Sequence, residues 1–269
     1  MNYIEIESLD DSKIELYTKY NENQLKRYNE PGLGYFVAES AEVINRALNA
    51  GYEPVSFLAE RENITDAVEA VMDRCSVPVY IASHEVLKDI PGYGLTRGML
   101  CLMKRKELLK VSDVIKGAKT IAILEDVMNP TNVGAIMRSA AALNIDAVLL
   151  TSGCSDPLYR RAARVSMGTV FQVPWTYIEG DWPSVSMDEI KKSGFVTISM
   201  ALRDNTIDIR DERIANAEKK AIILGSEGPG LKDETLDMCD YTVKIPMSHG
   251  VDSLNVAAAS AVAFWELTR

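Results

Sequence analysis

The stretch Ala221-Ile222-Ile223-Leu224-Gly225-Ser226-Glu227-Gly228-Pro229-Gly230-Leu231 decides the fold. Its first four residues form an apolar run without polar alternation, the pattern of a strand buried on both faces in a parallel sheet. The run breaks into a loop holding three glycines. A buried strand that enters a glycine loop is the usual seat of a nucleotide-like ligand in α/β proteins. The spacing is not G-x-G-x-x-G and no Gly-Lys-Ser/Thr follows, so neither a dinucleotide fingerprint nor a P-loop fits. Glu227 inside the loop repels phosphates and favours a ligand with hydroxyls or positive charge.

Strands and helices alternate on both sides of this stretch. Strands are predicted at 120–124, 147–150, 170–173, 195–200 and 241–245, with helices over 133–143 and from about Ser253 to Leu267. This predicts a mainly parallel sheet covered on both faces. An earlier alternation has strands at 34–38, 54–59 and 77–82, helices at 41–50 and 64–74, and a close near 100–103. A helix is predicted over 13–28. The expected organisation is a small α/β domain over residues 1–104, a charged linker over 105–117 and the larger domain over 118–269.

Two further segments stand out in the larger domain. Asn129-Pro130-Thr131-Asn132-Val133-Gly134-Ala135-Ile136-Met137-Arg138 follows a strand and opens a helix, with good turn and N-cap chemistry at its start. Gly134 and Arg138 share a helix face, so a ligand could approach the glycine while Arg138 reaches toward a phosphate. A capped helix with a solvated arginine fits that segment equally well. The other segment, Ile245-Pro246-Met247-Ser248-His249-Gly250-Val251-Asp252-Ser253-Leu254-Asn255-Val256-Ala257, reads as strand, irregular loop and a helix rich in small residues. Ser253 is the expected cap and Asn255 the expected first turn.

In this order the three segments resemble the three motifs of the SpoU/TrmH family of S-adenosylmethionine-dependent RNA 2′-O-ribose methyltransferases. The matches are N-x-G-x-x-x-R at Asn132–Arg138, L-G-S-E-G-P-G-L at Leu224–Leu231 and I-P-M…D-S-L-N-V-A at Ile245–Ala257, with Arg164-Val165-Ser166-Met167-Gly168 as a subsidiary match. Position 226 is Ser where many relatives carry Asn. The resemblance covers about residues 118–269 and implies a trefoil knot in the C-terminal sheet, an exception to the rule against knots. It implies S-adenosyl-L-methionine held at Gly225, Ile245 and Leu254. It makes Arg138 the residue that activates the hydroxyl, with Asn132, Glu227, Ser253 and Asn255 positioning the ribose, the arginine and the loops. It also implies a homodimer, for which the faces Ala135/Ser139/Ala142 and Ala257/Ala258/Ala261 suit close helix contact. Residues 1–103 are similar to the ribosomal-protein-like RNA-binding domain attached to many of these enzymes, with Gly34–Ser40 as its first strand and turn.

Composition is that of an ordinary globular protein and argues against several alternatives. Hydrophobic residues make up 47% and charged ones 25%, ordinary values for a folded domain. The first eleven residues lack a basic and apolar leader, and no apolar run spans a bilayer, so the expectation is a cytoplasmic protein without a membrane partner. The four cysteines form no C-x-x-C pair and there are two histidines, so no metal site is expected. A net charge of −10 argues against nonspecific coating of nucleic acid, and no DNA partner is expected. Residues 1–110 hold 13 Lys+Arg against 18 Asp+Glu, so RNA contacts would have to come from local clusters such as Lys104-Arg105-Lys106 and Arg160, Arg161 and Arg164. A noncatalytic RNA-binding protein on the same fold is the alternative, marked by loss of Asn132, Arg138 or Glu227; all three are present. A Ser/His hydrolase built around Ser248 and His249 lacks a nucleophile elbow.

Overall fold

The computed structural model describes residues 3–88, 90, 98–203, 206–249 and 252–269. The chain divides into two compact units, Met1–Glu107 with Leu158–Gln172, and Leu108–Pro157 with Val173–Arg269.

In the first unit, β1 (Tyr3–Glu5), β2 (Tyr35–Glu39), β3 (Pro54–Glu60), β4 (Val79–Ala82) and β5 (Met99–Lys104) form a sheet in the order β1-β4-β3-β5-β2. The β1/β4 and β3/β4 pairs are parallel, and β5 runs antiparallel to β2 and β3. The edge strand β1 is absent from the sequence reading. The helix expected over 13–28 is broken into Glu15–Thr18 and Glu22–Lys26. Asn21 makes the break: its side chain accepts from the Gln24 N–H while the Gln24 side chain accepts from the Asn21 N–H, a capping box that restarts the helix.

The segment 158–172 leaves the second unit and completes the first. Its helix Arg160–Val165 is held by Glu39, which ends β2 and is 3% exposed; Arg164 Nη1 lies 3.2 Å and Arg160 Nε 3.4 Å from its carboxylate. Arg46 Nη1 donates to the Met167 carbonyl at 2.9 Å. The run 170–173, expected as a strand, is a single 3₁₀ turn at Thr169–Phe171, and the strand comes later at Trp175–Tyr177. Phe171 lies against Phe36 and Tyr52, at 5.9 and 5.1 Å between ring centroids. A short apolar run does not by itself distinguish a strand from a buried turn, and here the aromatic contacts decide.

The second unit is built on a parallel sheet of β6 (Thr120–Leu124), β7 (Ala147–Leu150), β8 (Trp175–Tyr177), β9 (Val196–Met200), β10 (Ile207–Asp208), β11 (Lys220–Leu224) and β12 (Tyr241–Lys244). Their order is β10-β12-β9-β11-β6-β7-β8, and each pair is parallel. Every residue of β6, β7 and β11 is buried, as their apolar runs require, and the polar Thr120 and Lys220 that open β6 and β11 are buried with them. Ile121, Ile123, Leu149, Ile223 and Phe195 join one core cluster. The strand order reverses where β11 inserts between β6 and β9, and such a reversal opens a crevice at the strands' C-terminal ends.

Helices Pro130–Ala142 and Val256–Leu267 pack on each other. The first starts three residues before the expected 133, because Asn129 accepts from the Thr131 N–H and Pro130 fits the first turn. The second starts later than expected. Asn255, not Ser253, is its cap, because the Asn255 Oδ1 accepts the Ala257 N–H at 2.9 Å while Ser253 stays in the preceding loop. Among the described residues, no helix is long and apolar enough to cross a membrane.

Candidate active site

The chain beyond the C-terminal ends of β9, β11 and β12 encloses a cleft of about 700 Å³. Its walls are Met200–Arg203, the glycine loop Gly225–Leu231, Ile245 and Met247, and the entry to the last helix. Gly225, Ile245 and Leu254 all line it, and so do Glu227, Ser253 and Asn255.

The glycine loop folds tightly on itself. A Cβ at Gly225 would stand 2.5 Å from the Gly230 carbonyl carbon and the Leu231 nitrogen, closer than any side chain tolerates. Ser226 Oγ donates across the loop to the Gly230 carbonyl at 3.4 Å. At Gly225, therefore, only backbone fits.

The cap of the last helix orients the polar residues. With its Oδ1 committed to the Ala257 N–H, Asn255 turns its Nδ2 donor toward Glu227 Oε1 at 3.3 Å and Asn132 Oδ1 at 3.4 Å. Asn132, outside the cleft lining, is thereby joined to it. It is 6% exposed, and with its oxygen facing Asn255 its Nδ2 has no partner among the described residues. A buried amide left unpaired costs about 1–3 kcal/mol, which an acceptor on a ligand would relieve.

Arg138 stands apart. It is exposed, six residues or about 9 Å of rise beyond Asn132 on the same helix, and does not line the cleft. Among the described residues it has no hydrogen-bond or ion-pair partner. The faces expected to serve a dimer are partly open: Ala142 and Ala258 are exposed, while Ala135, Ser139, Ala257 and Ala261 are half-buried. Val262 (40% exposed) and Trp265 (54%) extend the Ala258 stripe at helical spacing.

Several functional features escape sequence reasoning. The wall after β9 carries no motif; Arg203 in it forms ion pairs with Asp233 and, at 3.6 Å, with Asp237, which tie that wall to helix Asp233–Met238. The basic clusters are largely engaged within the first unit. Arg160 and Arg164 pair with Glu39, Lys104 Nζ sits 2.9 Å from Glu53, Lys106 Nζ donates to the Ala50 carbonyl, and Arg105 Nε to that of Tyr35.

Comparison with known proteins gives the same family as the motifs. The model of the SpoU rRNA methylase family matches residues 119–265, and the chain belongs to that family. An uncharacterized tRNA/rRNA methyltransferase of Mycobacterium tuberculosis is 37% identical over 261 residues, covering 97% of this chain and 90% of that one. Among solved structures, an AdoMet-bound rRNA methyltransferase from Sinorhizobium meliloti superposes with a TM-score of 0.79 at 20% identity, over 98% of this chain and 97% of that chain. An RNA 2′-O ribose methyltransferase superposes with a TM-score of 0.77 at 24% identity, over 99% and 98%. At these identities the superpositions speak to the fold.

Proposed function

We propose that this protein methylates a ribose 2′-hydroxyl in structured RNA, rRNA or tRNA, with S-adenosyl-L-methionine as methyl donor. The observation that carries the reading is the joining of three motifs at one cleft, through Asn255 to Glu227 on one side and to Asn132 on the other. The residues suit the cofactor. The tightly folded Gly225–Leu231 loop can offer backbone donors and acceptors to an amphoteric ligand, and the Glu227 carboxylate suits a group with positive charge. A cleft of about 700 Å³ is within the usual ligand range of ~300–1,000 Å³. Gly225, Ile245 and Leu254 would hold the cofactor, whose bound form supplies an already activated methyl group.

The chain's own residues have two tasks: to align a poor nucleophile and to stabilise the charge that develops on its oxygen. Asn132, with its free Nδ2 donor, and Asn255, Glu227 and Ser253 orient the ribose. A guanidinium holds its proton too tightly to be a practical base, so Arg138 clamps the adjacent phosphate bidentately and lowers the cost of the alkoxide. The exposed position of Arg138, off its own cleft, supports a homodimer in which it serves the partner's site; the Ala258/Val262/Trp265 stripe is the surface for that contact. We read the insertion of β11 between β6 and β9, with three loops converging on one cleft, as the threading of the trefoil knot. Residues 1–104 are read as the RNA-recognition domain, and the cytoplasm as the site of action.

Calorimetry with S-adenosylmethionine, light scattering at micromolar concentration, and a map of 2′-O-methylation in total RNA with and without the gene test this reading together. Cofactor binding by a dimer and the loss of a defined methyl mark are expected. A monomer with no affinity for the cofactor would overturn it.

A further inference from the structure

The two residues that follow β6, Glu125 and Asp126, are consecutive carboxylates that meet the same lysine. In extended backbone, neighbouring side chains point to opposite faces. Glu125 still continues the ladder, its N–H bonding the Leu224 carbonyl at 2.8 Å, but Asp126 takes φ 53°, in the left-handed region that Asp enters more readily than most residues. That reversal brings both carboxylates round to Lys232. Glu125 Oε1 accepts the Lys232 backbone N–H at 2.7 Å, and Asp126 Oδ2 lies 3.0 Å from Lys232 Nζ.

Each carboxylate is itself fixed. Glu125 is 1% exposed, and its Oε2 accepts from the Trp182 indole at 2.6 Å and from the Thr235 hydroxyl. Asp126 exchanges hydrogen bonds with Thr151, whose hydroxyl accepts its N–H at 3.0 Å and donates to its Oδ1 at 2.8 Å. A Cβ at Gly153 would collide with the Asp126 carboxylate, so glycine there is a condition of the arrangement.

Lys232 is the residue next to Leu231, where the glycine loop ends. We infer that Glu125 and Asp126 are positioning residues for the cofactor cleft, clamping Lys232 by main chain and side chain so that the Gly225–Leu231 backbone is held in its ligand-binding form. Neither residue lines the cleft, so both act through the loop. This rests on the cofactor reading above. A ligand bound by loop backbone gains affinity when the loop is ordered beforehand, because less ordering entropy is lost on binding.

The test uses the full chain with Lys232→Gln, Lys232→Arg and Glu125→Gln, read by calorimetry with S-adenosylmethionine, amide hydrogen exchange of the ligand-free protein, and thermal melting. Lys232→Gln removes only an exposed cation. It should weaken cofactor binding about three- to tenfold and speed exchange at residues 225–231, with RNA affinity unchanged and Lys232→Arg restoring both. Glu125→Gln, which turns an amide donor toward other donors, should act in the same direction and further. If Lys232→Gln leaves both cofactor affinity and loop exchange at the parent values, the clamp is refuted, whatever happens to the melting temperature. A parent protein that binds no cofactor would sink the cofactor reading instead, and loop exchange would still decide the clamp.

Discussion

Arg164 and Arg138 both sit on short-to-moderate helices, yet the two units use them in opposite ways. In the first unit, Arg164 reaches a carboxylate that is 3% exposed, shares it with Arg160, and binds a late segment of chain to the sheet. In the second, Arg138 is exposed and has no protein partner among the described residues. A cation neutralised inside its own unit contributes to folding. One left open, on the helix of a motif segment but off the cleft of its own chain, is available to a ligand phosphate. The contrast also revises how RNA would be bound, because the sequence marks the Arg160–Arg164 cluster as a candidate contact and the structure directs two of its members inward.

The largest effect should come from the open arginine. Arg138→Ala is expected to lower methyl transfer about 10²–10³-fold, with cofactor affinity within a factor of two and melting unchanged. Arg138→Lys keeps the charge and loses the planar fork, so most of the loss should remain; near-full activity in the Lys variant would reduce the role to charge alone. Measured transfer rates on a mapped RNA, beside calorimetry, separate these outcomes.

Next comes the neutralised pair. Glu39→Ala leaves two partly buried arginines without their carboxylate and should cost about 2 kcal/mol, somewhat under the usual range for a fully buried pair because Arg164 is partly open to water. Denaturant melts give the total, and exchange at 158–172 should rise first. Unaltered stability would mean that the aromatic contacts of Phe171 and the Arg46–Met167 hydrogen bond hold the segment without Glu39.

The smallest effect belongs to a surface pair. Asp240 is held below the usual carboxylate range: burial works against it, but the Lys191 ammonium and the Thr197 N–H and hydroxyl outweigh that cost. A depressed folded pKa contributes stability above the unfolded value near ~4, lost as pH falls through the folded one. More than a third exposed, Asp240 should contribute under about 1 kcal/mol. Asp240→Asn should lower the urea midpoint slightly at pH 7 and not at all near pH 2; an equal loss at both would dissociate the effect from ionisation.

The parallel sheet was legible because its central strands announce themselves: Thr120–Leu124 and Ala147–Leu150 fall where the apolar runs put them. Six of the eight motif residues line the cleft, since loops after buried strands gather at one edge of a parallel sheet. What stayed hidden depends on contacts between distant residues. The turn at Thr169–Phe171 is set by Phe36 and Tyr52, the division of the long N-terminal helix by a reciprocal side-chain cap, and the choice of Asn255 over Ser253 by which oxygen reaches a free N–H. The Glu125/Asp126 pair was invisible because a single left-handed residue reverses the alternation that a strand pattern assumes.

The discontinuous make-up of the first unit also sets a timetable. Its sheet is complete in sequence at Lys104, but the helix that covers Glu39 begins at Arg160, after β6 and β7 have already left the ribosome. At synthesis rates of about 5–20 residues per second, that separation of roughly 50 residues is a wait of several seconds. During it, Glu39 has neither arginine partner, and Phe36 and Tyr52 lack the Phe171 ring. The amino-terminal unit therefore emerges first but is completed only after part of the second has followed it, and a nascent chain stalled before residue 158 should present that bare face to chaperones.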